Sequence, residues 1–167
     1  MLDPATAFPL HLTQGIPITP DEVCPCCRPL LFHHEYMTAY LERQYHCHIH
    51  LKKIAQWHNQ HYLIRQVLLN DEGHRTYIIS QIRIYLTQFS LAIQEQLIHS
   101  DLPFGRILSE LDIQPVFAKR QFLKRMDPVS LALDTISARL CDNHFGRFHQ
   151  ILDHRQQILA DVHEWIA

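Results

Sequence analysis

Two pairs of strand-like segments, each joined by a short polar turn, constrain the fold of this 167-residue chain more than any other feature. Residues 62–69 and 76–86 are rich in β-branched and aromatic residues and flank a turn that ends in Gly73. Residues 145–152 and 157–166 repeat the arrangement. Such runs separated by turn residues are typical of β-hairpins, whose two strands are antiparallel. Much of the apolar surface is therefore expected to lie on an antiparallel sheet.

The sequence also predicts one strand and four helices outside the two hairpins. In residues 45–51, histidines alternate with apolar residues, and this pattern predicts a half-buried strand. Helical spacing or helix-capping residues predict four helices, at 34–43, 90–99, 106–111 and 127–140. Hairpins mixed with helices, without long crossovers, predict a single α+β domain with an antiparallel sheet.

The first 29 residues differ in composition from the rest of the chain. They contain six of the nine prolines and show little periodicity. Proline fixes its own backbone and disfavours a helix before it, so this segment predicts an extended N-terminal arm with one short helical turn at most.

Composition limits the function. Hydrophobic residues make up 47% of the chain and charged residues 19%, which is enough apolar surface for a buried core and excludes a disordered chain. The net charge of −2 argues against nucleic-acid binding. The absence of a long apolar run argues against membrane insertion, and the N-terminus lacks a signal-peptide pattern. We therefore expect a cytoplasmic protein. The chain has five cysteines, an odd number, so we do not expect a disulfide framework.

Strand alternation places two charged residues among apolar neighbours. Arg65 shares one face of its strand with Leu63, Val67 and Leu69. Glu164 shares one face of the last strand with four apolar residues, while the opposite face, which includes Trp165, is mixed and is expected to face solvent. Burying a charge is unfavourable unless the charge is paired or binds something.

Three explanations of these two charges remain open from the pattern. Arg65 and Glu164 pair with each other, or they lie near strand ends and extend outward to water. Alternatively they line a pocket, in which Arg65 binds a carboxylate and Glu164 accepts a hydrogen bond from a ligand hydroxyl. Glu164→Gln separates these explanations: a structural pair predicts a large loss of stability, whereas a ligand contact predicts near-normal stability and reduced turnover.

The ordered motifs of the chain resemble the chorismate pyruvate-lyase family, including its cyanobacterial and plastid-type members. The resemblance covers residues 30–167, a chorismate lyase-like domain that leaves residues 1–29 outside as the arm. Its pieces, in order, are Tyr36-Met37-Thr38, Tyr62-Leu63-Ile64-Arg65-Gln66-Val67-Leu68-Leu69, Leu102-Pro103-Phe104-Gly105-Arg106, Phe145-Gly146-Arg147 and Val162-His163-Glu164-Trp165.

This resemblance implies an antiparallel sheet with helices and flaps over one face, and the conversion of chorismate to 4-hydroxybenzoate and pyruvate without metal or cofactor. It implies that Arg65 binds the ring carboxylate and Glu164 faces the hydroxyl end of the product. Met37 would be the flap residue and Phe104 a pocket-wall residue, where the enterobacterial pattern has leucine. Arg83 and Arg106 are both candidates to bind the second carboxylate of chorismate.

Two rival functions remain. His46, His48 and His50 would project from one face of the predicted strand, and Cys24, Cys26 and Cys27 cluster in sequence, so both groups offer metal ligands. We expect a solvated histidine stripe and a mobile or oxidation-prone cysteine-containing arm rather than a metal site, because Cys-x-Cys-Cys lacks the paired spacing of a structural zinc site.

The other rival is a non-catalytic, sensor-like module of the same fold that binds an aromatic carboxylate. A lyase acting on a related chorismate-derived acid is a variant of the main hypothesis. Turnover of chorismate by the purified protein distinguishes an enzyme from the binding and metal alternatives.

Overall fold

The computed structural model describes residues 11–126 and 145–167, so the predicted helix at 127–140 and Cys141 lie outside the described residues. Seven strands are present there: β1 (Ile16–Ile18), β2 (His50–His58), β3 (Tyr62–Asn70), β4 (Thr76–Tyr85), β5 (Val116–Lys124), β6 (Phe145–Leu152) and β7 (Ile158–Ile166). The α-helices are α1 (Arg28–Phe32), α2 (Met37–Tyr45), α3 (Leu91–His99) and α4 (Phe104–Glu110). Two short 3₁₀ turns span Pro20–Glu22 and Leu86–Gln88. Within the described residues, no helix is long and apolar enough to cross a membrane.

The strands form one sheet in the order β1-β5-β6-β7-β4-β3-β2, and every neighbouring pair is antiparallel. Both predicted hairpins are confirmed as β3–β4 and β6–β7. Strands β4 and β7, one from each hairpin, pair at the centre of the sheet. The two hairpins thus form a continuous four-stranded surface that carries both Arg65 and Glu164.

The predicted strand at 45–51 is wrong. Helix α2 continues to Tyr45, and His46 adopts a left-handed conformation with φ of 51°. A left-handed residue commonly ends an α-helix and redirects the chain, so the next strand begins only at His50. His46, His48 and His50 therefore do not share one strand face.

The sequence analysis did not predict the three-residue β1, nor the longer strands β2 and β5. In both, the register shifts in mid-strand, between Lys53 and Ala55 in β2 and between Ala118 and Gln121 in β5. Lys119 also has a positive φ of 48°. A β-bulge inserts an extra residue and interrupts the two-residue alternation, so neither strand shows a continuous strand pattern in its sequence.

All four helices contribute buried side chains to the core on one face of the sheet. One apolar cluster joins α3 and α4 to Leu63 and Ile84. A second joins α1 and α2 to Leu69 and Ile78. A single domain in which helices cover one face of an antiparallel sheet confirms the α+β prediction. The face that carries Arg65 is therefore the covered face.

The opposite face of the sheet has its own small core. Trp165, expected to face solvent, is fully buried there, and its indole N–H donates to the carbonyl oxygen of Leu12 at 2.7 Å. Leu12 belongs to the predicted N-terminal arm, which also supplies β1 to the sheet edge. Trp165 packs over Gly146, where a Cβ would lie 2.5 Å from the backbone oxygen of Glu164. A side chain at Gly146 would push the paired strands apart.

Candidate functional site

A cavity lies between the two apolar clusters on the helix-covered face. The starts of α2 and α4 form part of its wall, and the strands of both hairpins, together with β2 and β5, form the rest. It contains all four residues proposed from the sequence, Met37, Arg65, Phe104 and Glu164. The other lining residues are Tyr36, Thr38, Leu51, Val67, Leu69, Ser80, Ile82, Pro103, Gly105, Phe117, His149, Ile151 and Val162.

The strand register explains why Arg65 and Glu164 face the same cavity. Arg65 pairs with Ile82, and Ile82 pairs with Val162, so these three residues form one row across the sheet. Glu164 lies two residues beyond Val162 and therefore points to the same side. Strand spacing and rise place the Arg65 and Glu164 Cα atoms about 12 Å apart. Ile82 and Val162 form an apolar surface between the two charges.

Arg65 is a buried cation whose contacts are with neutral groups. Its side chain is 1% exposed. Nε donates to Gln56 Oε1 at 2.8 Å, and Nη2 donates to the carbonyl oxygens of Leu97 and Ser100. Among the described residues, Nη1 has no hydrogen-bond acceptor. Burial lowers the pKa of Arg65 to about 10, and the charge of Asp101 opposes this only in part. The exposed Asp101 forms its own ion pair with Lys53.

Glu164 pairs with an arginine other than Arg65. Arg147 Nε donates to Glu164 Oε2 at 2.6 Å, and both side chains are almost completely buried. The two residues are direct register partners on β6 and β7. The proposed Arg65–Glu164 pair is therefore wrong. Within the described part of the chain, Glu164 Oε1 makes no hydrogen bond. One carboxylate oxygen of Glu164 is therefore paired with Arg147, and the other is available to a ligand.

Met37 and Phe104 occupy equivalent positions at the starts of two helices. Met37 is the first residue of α2 and is 5% exposed. Phe104 is the first residue of α4, is 6% exposed, and makes an edge-to-face contact with Phe89. The first backbone N–H groups of a helix have no acceptor within the helix. The start of the nine-residue α2 therefore adds N–H donors beside the apolar wall.

Neither arginine considered for a second carboxylate lines this cavity. Arg83 is exposed, and its guanidinium lies 5.5 Å from the centre of the Tyr62 ring. Arg106 is directed away from the cavity to Glu42, with Nη2 2.6 Å from Oε1. In this conformation neither arginine is therefore placed to bind a second carboxylate in the cavity.

Sequence analysis missed two polar residues of β6 that lie close to Glu164. Arg147 and His149 lie between Phe145 and Ile151 on one face of this strand. His149 lines the cavity and is 2% exposed. The opposite face carries Gly146, Phe148, Gln150 and Leu152, so the sequence pattern does not distinguish the inward face, and only the structure shows that Arg147 and His149 are buried on the cavity side.

The structure does not bring the three histidines together as a metal site, but it does bring the three cysteines together. His46, His48 and His50 are exposed, and His48 Nδ1 lies 3.1 Å from Glu42 Oε1. Among the described residues, the one group with metal-ligand geometry is Cys24, Cys26 and Cys27, whose sulfur atoms lie within 4.8 Å of one another. Cys26 is disulfide-bonded, which the sequence analysis did not expect. In this oxidised form the cluster does not provide three thiolates.

Among the described residues, three histidines are expected to make stability depend on pH. Burial is the largest cause lowering the pKa of His33, to about 3, and also the pKa of His149 and His163. Below the ordinary value of about 6.5, the unfolded chain binds protons that the folded protein excludes. The free energy of unfolding should therefore fall with decreasing pH below about 6.5, by about 1.4 kcal/mol per unit for each histidine that stays neutral.

Urea unfolding at several pH values measures this effect. Proton uptake on unfolding is obtained from the slope of the unfolding free energy against pH. An unchanged free energy of unfolding between about pH 7 and pH 5 would show that these histidines protonate in the folded state.

The sequence was also compared with known proteins. It matches no model of a known protein family and no curated protein.

Proposed function

We propose that this protein is a chorismate lyase, which converts chorismate to 4-hydroxybenzoate and pyruvate. The observation that carries the proposal is the environment of Arg65. Its guanidinium is buried against neutral acceptors in a cavity that also contains Glu164. A buried charge without a counter-ion is unfavourable, and a ligand carboxylate would supply the missing negative charge.

The charges around the cavity suit an anionic ligand. Arg65, Arg120 and Arg147 supply three guanidinium groups, whereas Glu164 supplies one carboxylate. Arg120 does not line the cavity, but its guanidinium lies 5.9 Å from the ring centre of the cavity residue Phe117 and donates to the backbone oxygens of Phe32 and His33. Chorismate carries two carboxylates, so its charge balances the excess of two positive charges in this set. Low-dielectric surroundings strengthen these interactions.

The arrangement also fits a ring acid. An apolar surface of Ile82 and Val162 separates Arg65 from Glu164, and Phe104 forms part of the wall. Small-molecule sites commonly combine apolar walls with a few polar groups that fix orientation. A six-membered ring lying on Ile82 and Val162 would direct a carboxylate to Arg65 and a hydroxyl on the opposite carbon toward Glu164. Met37 would close the cavity from above.

The proposed reaction is an elimination that makes the ring aromatic. The bond between the ring carbon and the ether oxygen breaks, and the hydrogen on the neighbouring, hydroxyl-bearing ring carbon leaves as a proton. The electron pair of that carbon–hydrogen bond enters the ring, and the released enolpyruvate takes up a proton at its methylene carbon to become pyruvate. No electrons are gained or lost overall. The protein has to bind the dianion in its reactive conformation and exclude water.

The residues have distinct roles in this proposal. Arg65 binds the ring carboxylate through Nη1 and thereby fixes the position of the ring. Oxygen Oε1 of Glu164 accepts a hydrogen bond from the ring hydroxyl, while Oε2 remains paired with Arg147. The backbone N–H groups at the start of α2 are available for the second carboxylate.

Incubating the purified protein with chorismate tests the proposal directly. We expect equimolar release of pyruvate and 4-hydroxybenzoate, without added metal or cofactor and unaffected by a chelator. A coupled lactate dehydrogenase assay measures the first product, and chromatography measures the second. Unchanged chorismate together with binding of 4-hydroxybenzoate would replace the enzyme by an aromatic-carboxylate-binding module. Unchanged chorismate with no binding of 4-hydroxybenzoate would reject the ring-acid site altogether.

A further inference from the structure

His149 lies at the end of the cavity opposite Arg65. It pairs with Val162 on β7, so it extends the row formed by Arg65, Ile82 and Val162 onto a fourth strand. Three strand spacings place the Arg65 and His149 Cα atoms about 14 Å apart. The His149 side chain is 2% exposed and lines the same cavity. A ligand held at one end by Arg65 therefore extends toward His149.

The His149 side chain has unused hydrogen-bonding capacity. Its Nδ1 is buried and, among the described residues, has no hydrogen-bond partner. The nearest carboxylate oxygen, Glu164 Oε2, is 3.9 Å away and already accepts from Arg147. The ring is held edge-on against Phe117, with centroids 5.3 Å apart. An unsatisfied buried polar group in a fixed side chain requires a physical explanation, and a missing ligand atom is one.

The charge state of His149 follows from the groups around it. Burial and the positive charges of Arg147 and Arg120 hold its pKa well below the ordinary value, and His163 acts in the same direction. Of the carboxylates in the described residues, Glu164 is the one placed against it, with Oε2 3.9 Å from Nδ1. His149 is therefore neutral near pH 7, with one N–H donor and one acceptor nitrogen. A neutral imidazole binds an alcohol, phenol or ether oxygen without requiring a further charge.

We propose that His149 binds a second oxygen substituent on the ligand ring, next to the oxygen contacted by Glu164. Because His149 and Glu164 lie side by side, with Nδ1 3.9 Å from Oε2, they face adjacent ring positions. The cavity then selects ring acids that carry oxygen on two neighbouring carbons. This inference rests on the proposed ring-acid site. In chorismate the two oxygens are the hydroxyl and the ether oxygen whose bond breaks, so His149 positions the leaving group.

Two simple benzoates test this selectivity in the full-length protein. Titration calorimetry compares 3,4-dihydroxybenzoate, which has both oxygens, with 4-hydroxybenzoate, which has one. One added neutral hydrogen bond corresponds to about tenfold in affinity, so we expect the dihydroxy acid to bind about tenfold more tightly. His149→Phe keeps a ring against Phe117 but removes both nitrogens. We expect it to abolish this preference and to change 4-hydroxybenzoate affinity by less than about threefold.

His163→Phe is the matched control. His163 is a half-buried histidine of the same sheet, but it lies on the opposite face against Phe148, and it does not line the cavity. This variant should retain the tenfold preference. His149→Asn keeps an N–H donor and should recover part of the preference; it also serves as the second variant if His149→Phe does not fold.

The possible failures are distinguishable. If the unmodified protein binds both benzoates equally, or if His149→Phe keeps the preference, the role of His149 is overturned and the ring-acid site stands. If the unmodified protein binds neither benzoate, the ring-acid site itself is rejected, and the role of His149 is rejected with it.

Discussion

Replacing Arg65 with methionine is expected to abolish measurable turnover of chorismate and to weaken binding of 4-hydroxybenzoate by tenfold to more than a hundredfold. A charge-assisted contact in a buried site contributes about 1.5–3 kcal/mol, which corresponds to this range. Methionine fills similar space, so the cavity wall is retained. The carbonyl oxygens of Leu97 and Ser100 lose their donor, and we therefore expect a moderate fall in melting temperature.

Calorimetry with 4-hydroxybenzoate and the pyruvate assay measure both effects on folded protein. Arg83→Met is the matched control because Arg83 is on the neighbouring strand but is exposed and outside the cavity. Its binding and turnover should equal those of the unmodified protein. Normal affinity in a folded Arg65→Met protein would remove Arg65 from the site, and with it the main support for the proposed function.

Replacing Glu164 with glutamine is expected to lower stability as well as activity. Glutamine keeps the shape of the side chain but leaves the buried Arg147 guanidinium without its counter-ion at 2.6 Å. Removing one partner of a buried ion pair destabilises a protein by about 3–5 kcal/mol. For a chain of this size the melting temperature should fall by roughly 6–20 °C. Turnover of the folded fraction should fall by at least about tenfold, since the ring hydroxyl loses a charged acceptor.

A double-mutant cycle separates the two roles of Glu164. In Glu164→Gln combined with Arg147→Met, no unpaired charge remains, so most of the lost stability should return. Turnover should remain low because the cavity still lacks its carboxylate. Calorimetric melting and the pyruvate assay at low temperature measure stability and turnover. A Glu164→Gln protein with unchanged melting temperature would show that Arg147 does not depend on this pair. Normal turnover per folded molecule would show that Glu164 has no role in the reaction.

Local patterns in the sequence were sufficient for several structural features. The alternation of β3, β4, β6 and β7 predicted both hairpins, because side-chain direction on a regular strand repeats every two residues. The same period identified Arg65 and Glu164 as inward-facing charges. Helix α3 was predicted from residue 90 onward and begins at Leu91. The roles of Met37 and Phe104 came from the family resemblance, and the structure places both residues in the same cavity as the two charges.

Local patterns failed where the chain departs from a regular period. Bulges interrupt the alternation in β2 and β5, and one of the partners of Arg65, Gln56, lies on β2. The histidine alternation near residue 46 imitated a strand, although these residues end a helix and enter a turn. Trp165 alternates with polar residues, but residues 11–15 cover its face of the sheet, and this coverage depends on the path of the N-terminal segment.

The sequence by itself determined which face of each regular strand is apolar, and hence that Arg65 and Glu164 point inward. Only the tertiary structure decided their partners. Arg147 is opposite Glu164 because β6 and β7 pair in one register, and Arg65 meets carbonyl oxygens because α3 ends above β3. Alternation depends on neighbours two residues apart, whereas an ion pair depends on groups within a few ångströms that are distant in sequence. Strand register and helix packing set those distances.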